Sequence, residues 1–86
     1  MKVRFHKKFA KGYSRLDLKI RRVFESRLQI FCTNPYQSEL SNHPLKGKWR
    51  GYRSINISGD FRAVYKEVSE QEVVFIAVGN HSQLYG

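Results

Sequence analysis

Along the chain the spacing of apolar side chains changes from two to nearly four and back to two, and the expected elements follow from that change. Residues 2–6, KVRFH, alternate basic and apolar positions with Val3 and Phe5 on one face, which predicts a short half-buried strand. From about Lys7 the period lengthens. Phe9 and Tyr13 stand four apart, and Leu16, Ile20, Val23, Phe24, Leu28 and Phe31 keep helical spacing. Two helices are expected, broken near residues 12–14. SRLD, beginning at Ser14, reads as a weak capping box with Asp17 three residues after the hydroxyl. Asn34 and Pro35 supply the stop, because Asn tolerates a left-handed conformation and Pro cannot continue the ladder, so the helix should end near Thr33.

Residues 35–48 read as loop. After Trp49 the period is two again, with Arg53, Ile55 and Ile57 on one face and Tyr52, Ser54 and Asn56 on the other. Gly59 and Asp60 break the run. FRAVYKEV and EVVFIAV follow as two more strands joined near residues 69–71, which makes the back half a three-stranded antiparallel meander. The last strand is apolar on both faces and should be central. The pattern therefore predicts an α+β domain in which an N-terminal strand and two helices lie on one face of an antiparallel sheet, with the opposite face left free.

Composition narrows the partners. Eighty-six residues are read as a single domain, 1–86, and a domain of this size buries only about 60% of its unfolded surface, so a deep enclosed cavity is not expected. The formal net charge is +9, and such an excess implies a polyanionic partner, nucleic acid before an anionic membrane surface or an acidic protein. The basic N-terminus lacks the apolar run of a secretory signal, and no stretch is apolar enough to span a bilayer. A cytoplasmic protein is expected. Cys32 is the one cysteine, which excludes an internal disulfide, and beside Ile30 and Phe31 it reads as a small core residue.

The charge is not evenly spread. Lys46, Lys48, Arg50, Arg53, Arg62 and Lys66 fall in the loop and sheet half, with Asp60 the one acid between His43 and Lys66. Trp49, Tyr52, Phe61 and Tyr65 are interleaved among them, and such aromatics serve either as core or as platforms for RNA bases. Arg15, Lys19 and Arg22 form a second stripe at helical spacing, which is a solvated face or a contact with structured RNA or an acidic partner.

Three histidines differ in setting. His6 sits in a basic strand end and reads as structural or surface. His43 precedes Pro44, which disfavours the α region for it, and His81 follows the buried last strand at Gly79 and Asn80. Together with Asp60, Arg62 and Tyr85 they supply the groups that metal-free RNA cleavage needs. A base takes the ribose 2′-hydroxyl proton, cations stabilise charge on the phosphorane-like transition state, and an acid protonates the leaving 5′-oxygen. Imidazole, with an unperturbed pKa of about 6.5, serves as either acid or base. Arginine adds fork-shaped hydrogen bonds to phosphate. The histidines show no His-x-His or HExxH spacing, so neither a metal site nor a small-molecule cofactor is expected.

HPLKGKWRGYRSINISGDFRAVYK followed by VVFIAVGNHSQLY resembles the RelE/ParE superfamily of bacterial type II toxins, and within it the YafQ-like branch. The likeness covers His43 to Tyr85. It implies a RelE-like fold and a ribosome-dependent mRNA endoribonuclease that cuts the A-site codon by 2′-hydroxyl attack. It also implies a cognate antitoxin that covers the basic face. Carried over position by position, it offers Asp60 and His81 as base and acid, His43 and Arg62 as phosphate-side groups, and Tyr85 as an orienting residue. Lys46, Lys48, Arg50, Arg53, Phe61 and Lys66 are the expected RNA contacts, to mRNA and to ribosomal RNA. Two positions depart from the branch: Asn56 stands where a histidine is common, and Phe61 where tryptophan is. The competing reading is a non-catalytic module, either a ParE-like gyrase poison or a degenerate toxin that only binds antitoxin or RNA.

Overall fold

The chain runs through β1 (Lys2–Phe5), α1 (Lys7–Ser14), α2 (Leu18–Thr33), β2 (His43–Pro44), β3 (Arg53–Ser58), β4 (Phe61–Ser69), β5 (Glu72–Asn80) and α3 (His81–Tyr85) in a computed structural model that describes residues 1–86. The strands form one sheet in the order β1-β5-β4-β3-β2, so the apolar last strand is flanked on both sides as its sequence predicts. β2 to β5 pair antiparallel, but β1 runs parallel to β5, with Val3 opposite Val73 and Phe5 opposite Phe75. The sheet is mixed rather than wholly antiparallel. Two intervening helices carry the chain back across the sheet after β1, and such a crossover is what parallel pairing requires.

Both long helices cover one face. Phe9 of α1 and Phe24 and Phe31 of α2 close over Ile55, Ile57, Ala63, Tyr65 and Phe75 to form the main core. Its rings meet edge to face, as with Phe24 on Phe75 at 5.7 Å and 88° and Phe31 on Tyr65 at 5.0 Å and 77°. Each fully buried aromatic contributes about 1.5–3 kcal/mol of transfer free energy. α1 lies close on β5 because Gly12 has no side chain: a Cβ there would stand 3.3 Å from the Val78 carbonyl oxygen.

The opposite face is not left free, contrary to the expectation from pattern. Leu45, Trp49, Tyr52, Leu84 and Tyr85 pack over Val64 and Ala77 in a second, smaller core. A bulge explains how β5 serves both. Val64 pairs with Ala77 but Tyr65 with Phe75, so one residue of β5 is extra, and the alternation slips between Phe75, under the helices, and Ala77, on the far side.

Local differences have local causes. The ring of His6 caps α1, with Nδ1 accepting the Lys8 N–H at 3.0 Å, so this histidine is structural. Ser14 ends that helix, donating its hydroxyl to the Lys11 carbonyl at 2.7 Å, and SRLD therefore falls in the turn rather than in a capping box. Asp17 precedes α2 without a side-chain cap. α2 ends at Thr33 as expected, but Asn34 is extended (φ −151°, ψ 101°) because Pro35 excludes helical geometry before it. Cys32 is exposed rather than core: the buried stripe of α2 is centred on Phe24 and Phe31, and Cys32 lies beyond its edge.

Candidate active site

Strand register gathers the polar site. His43 lies opposite Ser54, Asn56 opposite Arg62, and Arg62 in turn opposite Gly79. Cross-strand partners project to the same side, so His43, Ser54, Asn56 and Arg62 share the face away from α1 and α2. α3 then folds over the end of β5. Asn80 accepts the Gln83 N–H and Gln83 accepts the Asn80 N–H, each at 2.8 Å, a reciprocal cap that fixes the first turn. A Cβ on Gly79 would come 2.8 Å from Gln83 Oε1, so glycine is what lets this turn fold back. His81 and Tyr85, four apart on α3, meet with ring centroids 4.9 Å apart.

The result is an open cleft of about 370 Å³ lined by His43, Leu45, Lys46, Arg62, His81 and Tyr85, together with Pro44. His43 Nδ1 is 2.8 Å from the Ser41 carbonyl oxygen. A carbonyl only accepts, so Nδ1 carries the proton and Nε2 is left free to exchange one. Ser41 holds that carbonyl in a left-handed conformation (φ 47°, ψ 45°), a costly one for a residue with a side chain. Asn42 anchors it. Its amide donates to the Pro35 carbonyl at 2.9 Å and to the Tyr65 hydroxyl at 2.7 Å, and its oxygen accepts Arg53 Nε–H at 2.8 Å. Arg53 in turn lies 5.3 Å from the Tyr36 ring centroid. Burial pushes the Tyr65 hydroxyl pKa above its ordinary value, against the lowering effect of Asn42.

Three polar atoms on this face, Ser54 Oγ, Asn56 Oδ1 and Tyr85 Oη, are buried with no protein partner. Unpaired buried polar groups are uncommon in folded domains, and here three gather on the face that carries the cleft. His43, Lys46, Arg62, His81 and Tyr85, named from sequence, are brought together. Asp60 is exposed on the turn between β3 and β4 and does not line the cleft. Phe61 packs against the helix-side core instead. Arg53 is committed to Asn42, Lys66 lies 5.7 Å over the Tyr52 ring, Arg50 is exposed beside the cleft loop, and Lys48 turns toward another cavity. Of the ambiguous aromatics, Tyr65 is 1% exposed in the main core, and Trp49 packs in the second core with its indole N–H donated to the Leu84 carbonyl at 3.0 Å.

Sequence reasoning missed Ser41 and Asn42, the pair that sets the His43 ring. Their one signal was position, directly before a histidine already restricted by Pro44. No group of three or more His, Cys, Asp or Glu side chains gathers within the domain, and no helix is long and apolar enough to cross a membrane.

Known proteins resemble this chain in sequence and fold. A family model described as the bacterial toxin of type II toxin-antitoxin system, YafQ, matches residues 1–86. The mRNA interferase toxin YafQ of Escherichia coli strain K12 is 34% identical over 59 residues, covering 69% of this chain and 63% of that protein, less than two thirds of its length. The YoeB/ParE toxin from Agrobacterium tumefaciens superposes with a TM-score of 0.77 at 25% identity, over 94% of this chain and 99% of that one. A chain of the E. coli DinJ-YafQ complex does so with a TM-score of 0.72 at 25% identity, over 98% and 97%. With the family match running the full length and the fold in agreement, this chain belongs to the YafQ family of type II toxin-antitoxin toxins.

Proposed function

We propose that this toxin is an mRNA endoribonuclease that cuts the codon held in the ribosomal A site, in the cytoplasm, without a metal. The observation that carries the reading is the convergence of two imidazoles, a guanidinium, an ammonium and a phenol on one cleft. The E. coli relative named an mRNA interferase toxin supports it. In this reading His43 Nε2 takes the proton of the ribose 2′-hydroxyl, and the oxygen attacks the adjacent phosphorus. Arg62 and Lys46 hold the non-bridging oxygens as charge accumulates on them. His81 protonates the 5′-oxygen as the P–O5′ bond breaks, leaving a 2′,3′-cyclic phosphate and a free 5′-hydroxyl. Tyr85 Oη, buried and unpartnered, donates to a phosphate or sugar oxygen.

Asp60 stays in the reading as the rival for the proton of the 2′-hydroxyl, since hydrogen bonds of a catalytic base often tighten only when substrate binds. His43→Gln and Asp60→Asn decide between them: the true base is the one whose loss abolishes the rising limb of the pH–rate profile.

Ribosome dependence suits the shape of the cleft. An open site of this size grips a nucleotide weakly, so a scaffold that holds the codon supplies the orientation the toxin does not. A cognate antitoxin is the expected partner, as the DinJ-YafQ complex supports, and with a net charge of +9 the toxin would draw an acidic segment of it onto the basic face. The deciding experiment is primer extension on a model mRNA in a purified translation system. The wild type should cut within codons, and His81→Ala should lower the cutting rate by about 10²–10⁴-fold. Absence of ribosome-dependent cuts by the wild type would sink the reading, and inhibition of gyrase in its place would move the protein to the gyrase-directed class.

A further inference from the structure

The largest cavity of the domain, about 660 Å³, is not the cleft but a groove on the other side of α3. Lys8 and Lys11 of α1, Arg15 at its C-terminus and Lys48 between β2 and β3 stand around it, and Trp49 and Phe61 are among the residues that line it. The domain's ion pairs are Arg4 with Glu72 and Arg27 with Glu39, so none of these four cations is neutralised by a carboxylate. Asp17 is the one acid at the groove and pairs with none of them. Cations gathered from two separate parts of the chain, α1 with its C-cap and the segment around Lys48, repel one another, and an anionic ligand relieves that repulsion.

The lining narrows the ligand. Aromatic faces within a cationic rim are the combination that seats single-stranded nucleic acid, the ring taking a base and the cations its phosphates. Trp49 is a rigid platform, because its indole N–H is already bonded to the Leu84 carbonyl at 3.0 Å. α3 is the wall common to both cavities: His81 and Tyr85 line the cleft, Gln83 and Leu84 the groove. With five residues it is about 7.5 Å long. An acidic peptide would satisfy the charge, but the shared wall favours a polymer that also occupies the cleft.

We propose that this groove is a second RNA subsite, seating an unpaired base and its phosphates from the strand whose scissile bond lies in the cleft. The identity of the ligand rests on the RNA-cleaving reading above. Lys11 and Arg15 thereby gain a binding role, and Phe61 stacks RNA at the groove rather than at the cleft.

Trp49 is the sole tryptophan, so its fluorescence reports directly on the groove. The full chain is titrated with a 2′-O-methyl RNA hexamer, which lacks the attacking hydroxyl and stays intact, and separately with a hexaglutamate peptide. RNA should quench Trp49 saturably. Lys11→Ala with Arg15→Ala should raise Kd about tenfold, as expected for two lost contacts between exposed charges. The charge-matched pair Lys19→Ala with Arg22→Ala, on exposed α2 positions outside the groove, should leave Kd within about twofold. All four substituted residues are exposed, so the variants should fold, which circular dichroism checks. Quenching that ignores Lys11 and Arg15, equal losses in the two pairs, or quenching by the peptide and not by RNA overturns the proposal. If primer extension shows no cleavage while Trp49 still answers to RNA through Lys11 and Arg15, the subsite stands and the nuclease reading falls. Cleavage with a silent Trp49 gives the reverse.

Discussion

Under the helices, Phe9, Phe24, Phe31, Tyr65 and Phe75 bury their rings to 2% exposure or less, whereas across the sheet Ser54, Asn56 and Tyr85 bury polar atoms that meet no protein partner. The same strands build both faces. On the first, large apolar side chains interdigitate and hydrogen-bonding groups are scarce, which is how a small domain gathers stability. On the second, a three-residue buried cluster of Val64, Ala77 and Leu84, with Leu45, Trp49, Tyr52 and Tyr85 packed against it, holds α3 and residues 45–52 in place, and His43, Lys46, Arg62 and His81 stand beside it. The contrast teaches where the fold is held and where its chemistry is kept apart from that task.

Substitutions on the two faces should therefore fail in different ways. The largest effect on stability is expected from Phe75→Ala, which touches Phe9, Phe24, Phe31 and Tyr65 at once and should cost about 3–5 kcal/mol in urea unfolding. A cost under 1 kcal/mol would mean that the helix face is not the principal core. Asn42→Ala comes next. It removes three hydrogen bonds on the seam between the faces, should cost about 1–3 kcal/mol, and should also free Ser41 and disturb the His43 tautomer, which imidazole nitrogen chemical shifts read directly. Unchanged shifts would separate Asn42 from the site.

Ser54→Ala should act in the opposite direction, stabilising by roughly 1 kcal/mol because it removes a buried hydroxyl that bonds to nothing in the protein. A clear destabilisation would show that this hydroxyl is satisfied. The smallest effect concerns Tyr65, whose pKa burial raises in the folded state. A raised folded pKa means that the contribution is complete below the unfolded value of about 10 and is lost as pH climbs through the folded one. The unfolding midpoint should thus drop as pH rises above about 10 more steeply in the wild type than in Tyr65→Phe. Parallel curves would contradict it.

Much of the first face was legible in sequence, because its determinants are periodic. Ile55 and Ile57 alternate, Phe24 and Phe31 recur at helical spacing, and the end of α2 at Thr33 is marked by Asn34 and Pro35. The second face was legible in its residue types but not in its assembly. His43, Arg62 and His81 stood out as chemistry, yet nothing local says that residues 45–52 fold back beside α3, since that depends on a bulge in β5 and a glycine beneath Gln83. Asp60 and Phe61 show the limit: both lie within two residues of Arg62, and neither lines the cleft with it. Adjacency in sequence does not carry across a turn followed by a strand that alternates its faces.

The parallel pairing of β1 with β5 also bears on time. Lys2 meets Glu72, so the first strand has no partner in the sheet until nearly the whole chain is available, and closing that contact spends the entropy of one long loop. The β4 and β5 hairpin closes locally and early by comparison. A mixed domain in which one such distant contact joins a local hairpin and two helices is expected to fold more slowly than a helical bundle and faster than an all-β sandwich. Each new copy thus makes its first strand long before the strand that will flank it exists.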